Sequence, residues 1–235
     1  MHFKTLQLCM KKRGLDALVL FKPENVFYTT GFFSKEAISV LYTNEDPILF
    51  IPKLEAERAK AQANVNFEIF DNKPLNLLAK TLKNKRKIGI DEDYIPLSFY
   101  NKLKRKFRRR FKPSSDLIKE TRMIKSDEEI KKISRAVRIA EEGILVGIKT
   151  IEAGKTELEV AAKAEFKVRS LGSEFVPYET IVASGINAVY PHTKATNKQI
   201  KNGEFVIIDL GAQDEHNKSD LTRTVCVGKI SSEQN

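Results

Sequence analysis

Two short apolar runs, each interrupted by one carboxylate, constrain this chain more than any other feature. The first is Val206-Ile207-Ile208-Asp209-Leu210-Gly211-Ala212, and the second is Ser219-Asp220-Leu221-Thr222-Arg223-Thr224-Val225. The Val/Ile run and the Leu/Thr/Val alternation both read as strands. The polar segment Gln213 to Lys218 between them suits a hairpin loop. With the turn centred between Asp214 and Glu215, Asp209 lies directly opposite Asp220. Like charges facing each other on a sheet destabilise it, and more so where they are partly buried. Either one carboxylate is protonated or the pair shares a cation. One divalent metal or two would resolve the conflict. A hairpin of different register, with one Asp solvated or capping a turn, fits the spacing equally well.

A step in charge divides the chain. The whole of it carries a net charge of +10. Residues 1–119 hold 24 Lys and Arg against 13 Asp and Glu, and the rest holds 17 against 18. The basic character belongs to the first half alone, which predicts a domain boundary near residue 120, with domains 1–119 and 120–235. At 235 residues and 41% hydrophobic content the chain can build two modest cores. No apolar run is long enough to span a bilayer, and no secretory leader opens the chain. Cys9 and Cys226 are far apart, without metal or redox spacing, and read as free thiols in a reducing cytosol.

The first half alternates helix-like and strand-like segments. Phe3 to Lys12 reads as a helix ended by Gly14, and Ala17 to Phe21 as a buried strand stopped by Pro23. Ala37 to Tyr42 and Pro47 to Ile51 read as a hairpin. Helices over Leu54 to Ala63 and Leu75 to Leu82 alternate with strands over Phe67 to Phe70 and Lys87 to Ile90. This pattern predicts an α/β layer fold. Lys102 to Lys112 holds eight basic residues in eleven, with Leu103, Phe107 and Phe111 at helical spacing. It reads as a solvated basic helix or as a dock for phosphate or an acidic partner. No groove-reading or base-stacking motif accompanies it, which argues against nucleic acid as a partner.

The second half opens differently. Ser126-x-x-Glu129 and Thr156-x-x-Glu159 are capping boxes. Behind them, Ile130, Ile133, Val137, Ala140, Ile144 and Ile148 form one apolar stripe, and Leu158, Ala161, Ala162, Phe166 and Val168 a second. Strands follow over Thr180 to Ala183, Phe205 to Ala212 and Ser219 to Val227. Helices followed by antiparallel strands predict an α+β second domain.

The paired-Asp segments resemble the signature of the Xaa-Pro aminopeptidase and prolidase group, pita-bread metallopeptidases related to methionine aminopeptidase and creatinase. Ile181-Val182-Ala183-Ser184-Gly185-Ile186-Asn187-Ala188-Val189-Tyr190-Pro191-His192 is similar to the segment carrying that family's active-site His. Arg122 to Ile130 resembles the entry to its catalytic domain, and Asn25 to Phe32 its N-terminal domain. The four stand in the family's order, from near residue 5 to about residue 230. The resemblance implies an RNase H-like N-terminal domain of the creatinase/prolidase type, shaping the substrate mouth or the dimer, then part of a pita-bread domain. It implies hydrolysis of the peptide bond before proline, with two divalent ions (Mn, Fe, Co or Zn) about 3.5–4 Å apart activating a shared water. Asp209 would be a terminal ligand and Asp220 a bridging one. His192 would hydrogen-bond the substrate or the tetrahedral intermediate, unless it is a plain surface-loop residue. Thr222 and Thr224 share the face of Asp220 by strand alternation and would either support the ligands or simply fill the strand. The substrate would be a peptide with proline at its second position, met by a homodimer in the cytoplasm.

After Gly228, Ser231-Ser232-Glu233-Gln234 looks like a helix N-cap with no helix behind it. The family's remaining ligands, one His and two Glu, would lie beyond this point, so the chain supplies two of five. It is expected to be an incomplete reading frame or a shortened chain, inactive alone, with a natural pseudoenzyme as the alternative. Two rival readings stand beside the peptidase: a peptidase-like module that binds peptide or protein without metal, and creatinase-type hydrolysis of an amidine.

Overall fold

A computed structural model of the chain describes residues 3–71, 74–107 and 111–229. The chain divides into two compact units, Met1–Ile124 and Lys125–Asn235.

The first unit begins with α1 (Phe3–Lys12), β1 (Ala17–Leu20), α2 (Pro23–Thr30), β2 (Ile38–Tyr42) and β3 (Ile48–Pro52). A 3-10 turn (Lys53–Glu55), α3 (Ala56–Gln62), β4 (Phe67–Phe70), α4 (Pro74–Thr81) and β5 (Ile88–Ile90) follow. The unit ends with α5 (Leu97–Lys106), β6 (Phe111–Pro113) and α6 (Ser115–Met123). The strands form one mixed sheet in the order β4-β3-β2-β1-β5-β6. β1 pairs antiparallel with β2 and parallel with β5. It is central and covered on both sides, which is why its sequence is an unbroken apolar run. Leu18 and Leu20 join Leu6 and Met10 of α1 and Leu117 of α6 in one core. Ala17 and Val19 join Leu78 of α4 and Leu103 of α5 in the other. The predicted α/β layers are therefore present. Because Leu117 and Ile118 are buried in the first core, α6 packs with this unit, although the charge step near residue 120 runs through it.

The basic run is not one helix. α5 ends before Phe107, whose N–H closes onto the Leu103 carbonyl, and Phe111 starts β6, pairing parallel with Ile88. The helical spacing that joined Phe111 to Leu103 and Phe107 was incidental, since strand pairing claims Phe111. Leu103 and Phe107 are buried as their apolar character requires. Arg108, Arg109 and Arg110 lie outside the described residues, as do Ser231 to Gln234 and the N-cap reading attached to them.

The second unit contains α7 (Asp127–Thr150), α8 (Glu157–Ser170), β7 (Ile181–Ser184), a 3-10 helix (Gly185–Val189), β8 (Phe205–Leu210), β9 (Gln213–Asp214), β10 (Asn217–Lys218) and β11 (Leu221–Cys226). Both helices open on complete capping boxes, Ser126 with Glu129 and Thr156 with Glu159. α7 and α8 pack together and cover one face of the antiparallel sheet β11-β8-β7. The buried faces match the predicted stripes in part. Ala140 and Ile144 of α7 and Ala161 and Val168 of α8 are in the core as expected, but Ile130, Leu158 and Phe166 are exposed, and Gly143 and Gly147 of α7 meet Val160, Ala164 and Val168 of α8. Close approach selects the small residues. A Cβ on Gly143 would lie 2.4 Å from Val168 Cγ2 and 2.7 Å from Leu210 Cδ2.

Among the described residues no helix is long and apolar enough to cross a membrane. Cys9 and Cys226 are free thiols.

One buried carboxyl makes the stability of the first unit depend on pH. Asp91 follows β5 and is 1% exposed. It accepts hydrogen bonds from Phe21 N (2.9 Å), Lys22 N (3.0 Å) and Asn25 Nδ2 (3.2 Å), anchoring the entry to α2. Burial pushes its carboxyl up to about 6, against the pull of those donors. A folded value above the unfolded one means that folding takes up a proton, so the stabilisation is complete below about pH 4 and is lost as pH rises through 6. Asp91→Asn keeps one acceptor oxygen and removes the titration. Urea unfolding should show the wild-type protein losing up to about 3 kcal/mol relative to Asp91→Asn between pH 4 and pH 7. A pH-independent difference would contradict this.

Candidate metal centre

The site is built on the β8–β11 hairpin. In β8, Val206, Ile208 and Leu210 are buried against the helices, so Phe205, Ile207 and Asp209 face the other way. The pairing places Asp209 opposite Thr222, and Leu210 opposite Leu221. The predicted direct opposition of Asp209 and Asp220 is therefore wrong by two residues. The cause is the turn. β9 and β10 continue the same register, Asp214 pairing with Asn217, so the loop residues are Glu215 and His216. Both have positive φ, 42° and 62°, as a two-residue loop of mirror-image type requires. Non-glycine residues are strained there, and the neighbours hold them in place. Arg135 pairs with Asp214 (2.8 Å) and Glu215 (3.1 Å), Lys132 with Glu215 (2.7 Å), and Glu174 accepts the His216 N–H (3.1 Å).

A slip of two residues preserves the face of every side chain, where a slip of one would reverse it. Asp220 therefore still lies on the side of Asp209, diagonally across the hairpin. Ser219 points inward, its hydroxyl accepting from Ala212 N (3.0 Å) and donating to the Ala136 carbonyl of α7 (3.1 Å).

The two carboxylates converge. Tyr178, in the segment before β7, donates through its hydroxyl to Asp209 Oδ1 at 2.8 Å and to Asp220 Oδ1 at 2.9 Å. A phenol has one hydrogen, so it serves one carboxylate at a time while the other approaches it as a second acceptor. Burial and then these two carboxylates push the ionisation of Tyr178 well above the ordinary tyrosine range. Gly211 makes room for the ring: a Cβ there would lie 2.8 Å from Tyr178 Cε1 and 2.5 Å from the Ser219 carbonyl oxygen. Sequence reasoning missed Tyr178. It stands 31 residues from Asp209 and 42 from Asp220, and no local pattern links it to either.

The other sequence-predicted residues are placed differently. Thr222 and Thr224 are exposed on the face of Asp209, opposite Asp209 and Ile207. Among the described residues, their hydroxyls make no hydrogen bond to either carboxylate. His192 is exposed in the turn after the 3-10 helix and does not enter the Tyr178 network. Among the described residues no three His, Cys, Asp or Glu side chains gather into a metal-binding group. What the unit presents is a pair of hard, anionic oxygen donors aimed at one point. That chemistry fits two ligands of a divalent cation.

Comparison with known proteins assigns both units. The creatinase/prolidase N-terminal domain family matches residues 3–124, and metallopeptidase family M24 matches residues 131–235. The chain belongs to the M24 metallopeptidases that carry a creatinase/prolidase N-terminal domain. The Xaa-Pro dipeptidase of Pyrococcus horikoshii is 38% identical over 226 residues, covering 96% of this chain and 64% of that protein. The chain thus spans less than two thirds of that relative's length. The crystal structure of the prolidase from Pyrococcus horikoshii OT3 superposes with a TM-score of 0.91 at 35% identity, over 99% of this chain and 67% of that one. The X-Pro aminopeptidase from Thermotoga maritima MSB8 superposes with a TM-score of 0.88 at 31% identity, over 99% and 67%. The second unit is therefore part of a pita-bread domain of this family.

Tyr178→Phe keeps the ring over Gly211 and removes the hydroxyl. With chelator present, its urea midpoint should fall by the equivalent of about 1–3 kcal/mol, the range for a hydrogen bond to a charged group. An unchanged midpoint would show that the phenol does not hold the carboxylates.

Proposed function

We propose that this chain provides part of a metal-dependent peptidase that cleaves the bond before proline, with Asp209 and Asp220 as metal ligands. The observation that carries the reading is the convergence of the two carboxylates on one atom, at 2.8 and 2.9 Å, in a chain of M24 descent. Asp209 and Asp220 would both be ligands in a site for two divalent ions drawn from Mn, Fe, Co and Zn. When bound, such ions supply Lewis acidity and lower the pKa of water. The chain's own residues do the rest. The β8–β11 hairpin fixes both carboxylates on one face. The Tyr178 hydroxyl offers a proton donor within reach of both. His192, carried on the exposed segment after β7, hydrogen-bonds the substrate and not the metal. Thr222 and Thr224 border the carboxylates on the same face. The substrate is a peptide with proline in second place, and the assembly is a homodimer working in the cytoplasm. Structures named for Xaa-Pro dipeptidase and for X-Pro aminopeptidase both superpose on this chain, so the substrate's length stays open between them.

Residues 1–235 alone are proposed to be inactive. Among the described residues no third His, Cys, Asp or Glu joins the pair, and two carboxylates alone do not fix the coordination that activates water. The retained acidic pair is also what favours the enzyme over a metal-free binding module.

Three measurements test this. Purified 1–235 should not hydrolyse Xaa-Pro peptides at any divalent metal concentration, and chelator-sensitive turnover would contradict the claim. In a longer protein that includes the rest of the domain, Asp220→Asn should abolish turnover and reduce bound metal. His192→Ala in the same protein should lower kcat about 10²–10⁴-fold with metal content near that of the wild type, the range for a positioned proton donor or acceptor. Loss of metal would make His192 a ligand; no change in either quantity would make it a surface residue.

A further inference from the structure

A second buried carboxylate lies away from the Asp pair, at the first residue of α8. Glu157 has no solvent exposure. A buried carboxylate survives only when its lone pairs are filled, and here they are. Oε1 accepts from Ser184 N (2.7 Å), Ser184 Oγ (2.8 Å) and Asn187 Nδ2 (3.1 Å). Oε2 accepts from Asn187 Nδ2 (3.0 Å), Thr196 N (3.1 Å) and Thr196 Oγ1 (2.6 Å). Burial alone would raise its pKa, but the donors on Thr196, Ser184 and Asn187 outweigh it and hold the carboxyl below the ordinary glutamate range. It is ionised at neutral pH and can only accept.

The placement of the donors gives the network its meaning. Ser184 ends β7, Asn187 sits in the 3-10 helix, and Thr196 lies on the returning arm. The segment between Ser184 and Thr196, which carries His192, is thus closed at both ends on one side chain. The α8 N-terminus reinforces the closure, with Glu157 N donating to the Lys198 carbonyl (3.2 Å) and Leu158 N to that of Thr196 (3.1 Å). Lys198 Nζ ties the arms again, donating to Ser184 Oγ (2.8 Å) and Glu204 Oε2 (2.7 Å). His192 itself is exposed and is outside this network, so its position depends on the arms.

We propose that Glu157 is a positioning residue: its carboxylate clamps both arms of the 184–196 segment and thereby fixes where His192 stands. The proposal rests on the reading of His192 as a substrate-contacting residue, and its test does not use activity. Glu157→Gln keeps the shape but turns an NH2 group toward donors that need an acceptor. In residues 1–235, hydrogen exchange over 185–197 should accelerate about tenfold or more, while α7 keeps its protection. The imidazole resonance of His192, one of three histidines and assigned with His192→Gln, should shift or broaden. Asn187→Ala removes one donor without touching the buried acid. It should give a smaller change of the same kind, and it carries the test if Glu157→Gln does not fold. Exchange that rises equally across the unit, or a His192 resonance that stays in place while the arms open, would overturn the proposal. Because the readouts of the clamp do not involve turnover, a His192→Ala enzyme with wild-type turnover and metal content would defeat the assignment of His192 and leave the clamp standing.

Discussion

The structure of the second unit depends on holding two like charges against each other. Asp209 and Asp220 share one face of a hairpin and one phenol oxygen. Asp209 is half-buried and Asp220 exposed, and like charges drawn together on one sheet face repel, so the surrounding fold has to enforce their proximity. The enforcement is distributed. Glu215 and His216 accept strained backbone conformations and set the register. Ser219 fastens the returning strand to α7. Gly211 allows the Tyr178 ring to lie close against the strand. Each sits a few residues from a carboxylate and controls its position without contacting any ligand.

The helices extend this constraint inward. Gly143 and Gly147 bring α7 against the sheet face opposite the carboxylates, where Leu210 and Ile208 fill the space that side chains on those glycines would take. Leu210 adjoins Asp209 in sequence, so packing on one face fixes the chain that aims the other. Glu157 applies the same logic to the neighbouring segment. In both places a buried interaction, made by a residue that touches no substrate, determines where an exposed functional group stands.

Much of this was legible in the sequence because it rests on local rules. The capping boxes at Ser126 and Thr156 satisfy backbone donors within three residues, and the apolar Ala17 to Leu20 run requires a strand covered on both sides. The hairpin was legible as a hairpin, but its register was not. The turn places Glu215 and His216, instead of a glycine, at positive φ, and the groups that stabilise it come from Arg135, Lys132 and Glu174. The helix faces were legible only in part. Ala140, Ile144, Ala161 and Val168 of the predicted stripes are in the core, but Leu158 and Phe166 are exposed, and close helix approach selected Gly143 and Ala164 in their place. Tyr178 and Glu157 left no sequence signal at all, since their partners are fixed only by the tertiary fold.

The central claim is that Asp209 and Asp220 hold a cation in common. A double-mutant cycle on divalent affinity tests it most directly. Mn2+ binding would be titrated, by calorimetry or by the relaxation of solvent water, against wild-type 1–235, Asp209→Asn, Asp220→Asn and the double variant. If the carboxylates share the ion, each single change removes most of the affinity and the double change adds little, because the two losses are strongly coupled. Independent, additive losses, or wild-type affinity in either single variant, would contradict the account.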